Sequence, residues 1–376
     1  MINEERLINE MMELVQVDSE TKKEKQIARL LRKKFEELGI TVQEDNAEQT
    51  TEHEAGNLIC TWEANTKDID TIYFTSHMDT VAPGQGIKPF VKDGYMQTDG
   101  STILGADDKA GIAAMLECIR SMQEEEKPHG TIQFVITVGE ESGLVGAKEL
   151  DSSLLLADFG YALDSDGKVG NLIVAAPTQA KLHIKVNGKT AHAGVSPEKG
   201  ISAITVAAKA LSNMPLGRID KETTANIGRF EGGSQTNVVC DEVHISAEAR
   251  SLVKEKLDEQ IEKMRTAIEG TAEKMGTTAE LDISIMYPGY KLSEQDHVVK
   301  TAVRAAEKMG RTPELLQSGG GSDANIISGY GIPTVNLAVG YEDIHTTNER
   351  IPVSELMKLT DMMKSIIQET VLTSSQ

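Results

Sequence analysis

The stretch from residue 72 to residue 143 decides the fold of this chain. It contains the apolar run IYFT (72–75), the segment KAGIAAMLECIRSM (109–122) and a second apolar run, IQFVITV (132–138). In the middle segment, apolar side chains recur three or four residues apart, at Ile112, Met115, Leu116 and Ile119. That spacing predicts a helix with one apolar face. A helix between two short apolar strands is typical of a parallel β-α-β unit.

The same alternation of helices and strands continues on both sides of this unit. Helical periodicity is present at residues 3–17 and 21–38, and a third apolar run covers Tyr161–Leu163. Towards the C-terminus we predict a helix, a glycine-rich loop at Gly319–Gly321, an apolar strand and a final helix. We therefore predict an α/β catalytic domain, with a mostly parallel central sheet flanked by helices, formed by residues 1–177 and 291–376.

Residues 178–290 follow a different pattern. In chain order the predicted elements are Lys181–Val186 (strand), Ile201–Met214 (helix), Thr223–Phe230 and Asn237–Ala249 (strands), Lys254–Met275 (helix) and Leu281–Met286 (strand). The order β-α-β-β-α-β is that of the split βαβ, or ferredoxin-like, unit. We therefore predict an α+β domain that is inserted into the α/β domain.

Composition limits the partners and the location of the protein. The chain has 38 Lys and Arg against 59 Asp and Glu, a formal net charge of −21, which would be repelled by nucleic acid and by anionic membranes. We expect neither as a partner, and no stretch reaches the ~18 apolar residues of a membrane helix. The three cysteines are widely spaced, and the first residues lack the apolar core of a signal peptide. We expect a cytoplasmic protein.

Acidic and imidazole side chains follow the predicted strands where each strand ends. SHMDT (76–80), GEESG (139–143) and DSDG (164–167) follow three strands, GADDK (105–109) precedes the helix, and DIHTT (343–347) lies near the C-terminus. In open α/β sheets, functional groups collect at the carboxyl ends of strands. Taken singly, each motif fits a hydrogen-bonded histidine, a helix N-cap or a solvated turn. Their recurrence at successive strand ends favours a functional site.

The residue types in these motifs indicate a metal centre. Two histidines with several carboxylates suit Zn²⁺, Mn²⁺ or Co²⁺ better than Cu(I) or an iron–sulfur cluster. More than three carboxylates would repel one another, and two divalent cations ~3.5–4 Å apart would neutralise that charge. The sequence therefore predicts a hydrolytic site with two divalent metal ions, for which zinc, manganese and cobalt all remain open.

The order of the motifs resembles the di-zinc exopeptidases, a family that includes peptidase T, the aminoacylases and carboxypeptidase G. The resemblance spans most of the chain, and the motifs Ser-His-Met-Asp-Thr and Gly-Ala-Asp-Asp-Lys-Ala-Gly are closest to the peptidase T-like members. It implies that His77 and Asp164 bind one metal, that Glu141 and His345 bind the other, and that Asp107 bridges both. It also implies that Glu140 is the general base and that Asp79 orients the His77 imidazole.

The resemblance also assigns a role to the inserted domain, as a lid or a dimerisation domain. His192 in Thr-Ala-His-Ala-Gly (190–194) would stabilise the developing oxyanion in the site of a partner subunit, which implies a homodimer. Asn237 and Arg250 resemble substrate-binding positions, and arginine suits the bidentate capture of a peptide carboxylate. Histidines outside these motifs, His53 among them, are expected to be structural.

Three functions remain open at the level of the sequence. The resemblance favours a metallopeptidase acting on short peptides, as a tripeptide aminopeptidase. A deacylase of N-acyl amino acids or a carboxypeptidase of the same family would need the same metal centre. A non-catalytic relative that binds peptides typically lacks a ligand or the base, whereas all of these positions, including Glu140 and Asp79, are filled here.

Overall fold

The computed structural model describes residues 1–374, which form two compact units. Of the described residues, the first unit contains 1–174, 292–317 and 322–374, and the second contains 175–291 and 318–321. The sequence predicts that residues 318–321 belong with the flanking parts of the chain. They belong instead to the second unit, because Ser318 N–H donates to the Ala175 carbonyl (2.8 Å) and Arg250 Nη1 donates to the Gly319 carbonyl (3.1 Å).

Ten α-helices, two short 3₁₀ helices (Ser152–Leu154 and Pro197–Lys199) and seventeen strands are present in the described residues. The helices are α1 (Glu4–Val15), α2 (Lys25–Glu37), α3 (Ala47–Thr50), α4 (Ala106–Glu124), α5 (Val145–Glu149), α6 (Ala203–Ser212), α7 (Lys254–Lys274), α8 (His297–Lys308), α9 (Asp323–Gly329) and α10 (Val353–Ser374). The strands are β1 (Thr41–Glu44), β2 (Leu58–Trp62), β3 (Ile72–His77), β4 (Phe90–Lys92), β5 (Tyr95–Gln97), β6 (Ile132–Thr137), β7 (Phe159–Ser165), β8 (Leu172–Ala176), β9 (Thr178–Asn187), β10 (Gly217–Arg218), β11 (Thr223–Gly232), β12 (Glu242–Ser251), β13 (Ala279–Tyr287), β14 (Tyr290–Lys291), β15 (Leu315–Gln317), β16 (Thr334–Ala338) and β17 (Arg350–Pro352).

The first unit is built on a mixed sheet with the strand order β1-β2-β6-β3-β7-β16-β8. The four central strands, β6, β3, β7 and β16, are parallel to one another, while β1 and β2 on one side and β8 on the other pair antiparallel with their neighbours. The predicted α/β class with a flanked central sheet is confirmed, and the parallel part is its centre. Parallel neighbours end at the same edge, so the motifs that follow β3, β6 and β7 converge there.

Helix α4 lies in the interior of the first unit rather than on its surface. It packs on β3 and β7 and is covered by α1 and α10, so nearly all of its side chains are buried. Strands β3 and β6 are also buried along their whole length. Because strands that are covered on both faces are rich in apolar residues at successive positions, β3 and β6 appear in the sequence as near-continuous apolar runs, with Gln133 as a buried polar residue within β6.

The second unit is a separate α+β fold. Its sheet has the order β10-β11-β12-β9-β13 with antiparallel neighbours, and α6 and α7 pack on it over a core of its own. The order β11-β12-β9-β13 is that of the split βαβ unit, as the sequence predicts. Strand β12 begins at Glu242, so Asn237 lies outside the strand predicted for it, in a turn that Val238 N–H closes on Gln235. None of the described helices combines the length and apolarity needed to cross a membrane.

Candidate metal centre

The five predicted metal ligands meet at one edge of the first unit's sheet. His77 is the last residue of β3, Asp164 lies near the end of β7, and Glu141 follows the end of β6. Asp107 stands at the start of α4, and His345 lies in the loop between β16 and β17. Residues far apart in the sequence are brought together because three parallel strands and one helix start share this edge.

The carboxylate of Asp107 lies between the two histidines. Its Oδ1 is 3.1 Å from Nε2 of His77, and its Oδ2 is 3.1 Å from Nε2 of His345. On the first side, Asp164 Oδ1 is 3.8 Å from the same His77 nitrogen. On the second side, Glu141 Oε1 is 2.8 Å from the same His345 nitrogen. One carboxylate is thus shared by two groups that each contain a histidine and a further carboxylate.

Both groups have donor atoms suited to a divalent cation. His77, Asp107 and Asp164 offer atoms within 4.8 Å of one another, and so do Asp107, Glu141 and His345. A tetrahedral zinc ion with bonds of about 2.0–2.1 Å places neighbouring ligand atoms about 3.3 Å apart. The separations of 2.8–3.8 Å within the two groups bracket that value. The residues present therefore fit a metal ion in each group.

The electrostatics of the site also favour bound cations. Burial raises the pKa of the Asp164 and Glu140 carboxyls well above their ordinary range, because charged carboxylates are costly in a dry interior. Hydrogen bonds with Asp107 and Glu141 raise the pKa of His345 to about 10. Burial alone would lower the pKa of His77, but Asp107 and Asp79 outweigh it and raise that pKa. The carboxylates thus stabilise positive charge at both imidazoles.

Asp79 connects two of the strand ends. Its Oδ1 accepts the Glu140 N–H (3.0 Å) and lies 3.5 Å from His77 Nδ1, and its Oδ2 accepts the Glu141 N–H (3.3 Å). His77 Nδ1 is also 3.0 Å from the Asp79 carbonyl oxygen. A neutral imidazole that donates from Nδ1 keeps Nε2 unprotonated, as a metal ligand requires. The contacts of Asp79 therefore connect the His77 ring to the segment that carries Glu140 and Glu141.

The three predicted substrate-binding residues belong to the second unit. Val238 forms an isolated backbone bridge with His192, and Ala193 N–H donates to the Asn237 carbonyl (2.9 Å), so the His192 and Asn237 loops are adjacent. Arg250 is engaged within its own unit: Nε is 2.9 Å and Nη2 is 3.2 Å from the Glu248 carboxylate. A substrate carboxylate would have to compete with Glu248 for this guanidinium.

Two residues that the sequence analysis did not select, His53 and Glu349, contact the backbone of the candidate metal centre. His53 is buried, its Nδ1 is 2.7 Å from Glu24 Oε1, and its ring lies directly under Gly139. A Cβ at Gly139, where φ is +58°, would come within 2.2 Å of that ring, so only glycine fits between the ring and the Glu140 segment. Buried Glu349 accepts hydrogen bonds from the backbone that leads into Asp107. No sequence motif marks His53 or Glu349.

Comparison with known proteins agrees with this arrangement. The family model described as "Peptidase family M20/M25/M40" matches residues 73–369. The structure of an aminopeptidase PepT from Bacillus cereus ATCC 10987 is 66% identical, with a TM-score of 0.96, over 98% of this chain and 99% of that chain. A tripeptidase structure from Staphylococcus aureus subsp. aureus mu50 is 52% identical, with a TM-score of 0.96, over 100% of both chains.

A curated relative extends the match beyond solved structures. Peptidase T of Halothermothrix orenii is 30% identical over 379 residues, covering 91% of this chain and 90% of its own. The resemblance to the di-zinc exopeptidases, drawn from a few motifs, is therefore confirmed over most of the sequence. The chain belongs to the peptidase family M20/M25/M40.

Proposed function

We propose that this chain is a metal-dependent aminopeptidase that hydrolyses tripeptides, with two zinc ions per chain. The observation that carries the proposal is the placement of Asp107, whose two oxygens each face a different histidine at 3.1 Å. The activities named for the two similar solved structures, an aminopeptidase and a tripeptidase, support the substrate class. Cobalt and manganese are the alternatives that this donor set allows.

Each residue of the centre then has a distinct task. His77, Asp107 and Asp164 would hold one ion, and Asp107, Glu141 and His345 the other. When bound, such ions polarise a scissile carbonyl and make a water molecule more acidic. Glu140 accepts the proton of the attacking water and passes it to the leaving amine, a task for which a pKa raised by burial is suited. Asp79, which contacts both the His77 ring and the Glu140 N–H, fixes their positions relative to each other.

The substrate contacts are proposed to come from the second unit. Asn237 and Arg250 would bind the peptide, and His192 would stabilise the negative charge that develops on the carbonyl oxygen. For Arg250 this requires that the peptide carboxylate displace or share the ion pair with Glu248. A Glu248→Gln change, which removes the competing charge, should therefore lower the KM for peptides with a free carboxylate.

A panel of three substrates tests the proposed function. The zinc-loaded protein is incubated with a tripeptide, with its N-acetylated form and with its C-amidated form, and the products are identified by mass spectrometry. We expect the free and the amidated peptides to lose their first residue and the acetylated peptide to remain intact. Release of acetate would indicate a deacylase. If the amidated peptide alone remained intact, while the other two lost their last residue, the enzyme would be a carboxypeptidase. If the peptides bind but none is cleaved, the chain is a non-catalytic relative.

We also propose a cytoplasmic homodimer in which the second unit serves the site of its partner. The buried, unbridged state of Cys60, Cys118 and Cys240 fits a reducing compartment. Mixing His192→Ala with Glu140→Gln protein tests the dimer, because a mixed dimer has one site with both side chains intact. Activity should partly recover. If subunit exchange is shown independently and activity stays absent, His192 acts within its own chain, under a hinged lid.

A further inference from the structure

We infer that Glu349 is a positioning residue that fixes the bridging Asp107 relative to His345. The inference rests on the proposed metal centre and adds a residue to it that touches no ligand atom. Glu349 is only 2% exposed, and its carboxylate accepts three main-chain hydrogen bonds. Oε2 accepts the N–H groups of Leu104 and Gly105, both at 2.8 Å, and Oε1 accepts the Asp107 N–H at 3.0 Å.

The backbone before α4 is shaped to surround this carboxylate. Gly105 has φ +75°, a left-handed conformation that disfavours side chains, and a Cβ there would lie 3.3 Å from the Thr80 methyl group. The left-handed turn lets N–H groups from both sides of it point towards one anion, as in other main-chain anion sites. The Glu349 carboxylate occupies that concavity and satisfies these buried donors.

Helix α4 does not itself fix the conformation of Asp107. The backbone of Asp107 is not helical, with φ −80° and ψ +102°, although the residue is counted within the helix. Its side chain must nevertheless present one oxygen to each of two histidines. The bond from Asp107 N–H to Glu349 is therefore a direct constraint on a ligand that the regular helix leaves unconstrained.

The same carboxylate is tied to the His345 loop. Glu349 is four residues after His345, and its own N–H donates to the Thr346 carbonyl (3.2 Å) to close a turn between them. A helix N-cap would come from the residue at the helix start, whereas Glu349 is 242 residues from Asp107 in the sequence. Its position instead connects the two segments that supply Asp107 and His345, whose ligand atoms lie 3.1 Å apart.

Two substitutions distinguish an effect of the position of the Glu349 oxygens from an effect of its negative charge. Glu349→Gln keeps the size of the side chain but replaces one acceptor oxygen with an NH₂ group, which cannot accept an N–H. Glu349→Asp keeps the charge but shortens the side chain by one C–C bond, about 1.5 Å, so the carboxylate cannot reach all three donors. If Glu349 acts through geometry, both variants should misplace Asp107.

The matched control is Glu117→Gln. Glu117 is also a fully buried carboxylate of the first unit. It accepts a hydrogen bond from the Asn3 N–H (2.8 Å) and forms an ion pair with Arg6 (2.6 Å). It lies ten residues after Asp107, and the regular part of α4 between them, from Lys109 to Glu117, rises by about 12 Å. Glu117→Gln therefore perturbs a comparable set of buried hydrogen bonds at a distance from the candidate metal centre.

The measurement is Zn²⁺ affinity by competition with a chromophoric chelator, with thermal unfolding of the metal-free proteins alongside. We expect Glu349→Gln and Glu349→Asp to bind Zn²⁺ about 10- to 100-fold more weakly than wild type. Glu117→Gln should bind Zn²⁺ like wild type even where its unfolding temperature falls as much. Wild-type affinity in Glu349→Gln, or full recovery in Glu349→Asp, would overturn the inference while leaving the proposed function intact. A wild-type chain that binds no Zn²⁺ would overturn both.

Should the Glu349 variants fail to fold, the wild-type protein still provides a test. Amide hydrogen exchange followed by mass spectrometry reports on the segment 103–108 of the metal-free chain. Three buried N–H groups bonded to Glu349 predict slow exchange there, comparable to that of the interior strands. Exchange as fast as in exposed loops would show that the bonds do not persist, and the inference would be wrong.

Discussion

Replacing Glu140 with glutamine should separate proton transfer from metal binding. Glu140 and Glu141 are adjacent, yet the structure places them differently. Glu141 Oε1 is 2.8 Å from His345 Nε2, within the group that includes Asp107. Glu140 instead offers its carboxylate to a group with His77 and Glu141, a group that contains neither Asp107 nor His345. The N–H groups of both glutamates donate to Asp79, and these bonds do not depend on the glutamate side chains. Glutamine at this position therefore preserves the shape and the main-chain anchor but cannot take up a proton.

The size of the expected effect follows from that difference. A general base contributes about 10²–10⁴-fold to kcat, which corresponds to roughly 3–5.5 kcal/mol of activation free energy. Glu140→Gln should lose that much in kcat while it keeps the metal content of the wild type. Glu141→Gln is the matched control, because it makes the same chemical change one residue away. We expect it to lose metal as well as activity, since one oxygen that faces His345 is replaced or turned away.

Kinetics and metal analysis on the same preparations check this prediction. Tripeptide hydrolysis gives kcat, and plasma mass spectrometry gives zinc per chain after removal of free metal. Because burial raises the pKa of Glu140, wild-type activity should fall on the acid side as this carboxyl becomes protonated, and Glu140→Gln should lack that limb. If Glu140→Gln loses zinc while Glu141→Gln retains it, the two roles are reversed and the assignment of the base is refuted.

Three further perturbations follow from the same geometry. Asp107→Ala should remove more zinc per chain than His345→Ala, because Asp107 faces both groups; equal losses would contradict a bridging role. Asp79→Asn should lower kcat about 10- to 100-fold, since one of the N–H groups of Glu140 and Glu141 loses its acceptor; unchanged kcat would show that Asp79 is dispensable. The pKa of His345, raised to about 10, implies a protonated imidazole in the metal-free chain at neutral pH. Zinc binding should therefore release protons and tighten as pH rises, and calorimetry in two buffers of different ionisation enthalpy should show it.

The interior of the fold could be predicted from the sequence because its burial leaves a pattern. Strands β3 and β6 are covered on both faces and therefore appear as near-continuous apolar runs. The edge strands lack such a pattern for the opposite reason. Strand β1 has four residues of which none is buried, and no apolar alternation distinguishes TVQE from a loop. The partition of residues 318–321 also escapes prediction, because it depends on hydrogen bonds to Ala175 and from Arg250.

The convergence of the five candidate metal ligands could be predicted because topology dictates where they meet. Three of the five follow or end parallel neighbouring strands, so a rule about strand ends places them together without knowledge of any loop. The rule gives no information on which atom faces which. That Asp107 presents Oδ1 to His77 and Oδ2 to His345 depends on a non-helical residue at a helix start. The bridging role is implied by a family resemblance, and the structure supplies the distances that make it chemically reasonable.

The supporting residues mark the point at which sequence reasoning ends. Glu349 acts on the N–H groups of Leu104, Gly105 and Asp107, and every residue except proline has such a group, so its partners leave no pattern of side-chain types. The one local trace is Gly105, and glycine is common wherever a chain turns before a helix, whether or not an anion lies there. His53 is similar, since its effect depends on the absence of a side chain at Gly139. Candidate ligands can thus be predicted from residue type and strand order. The groups proposed to position them act through the main chain and become visible only once the loops are placed.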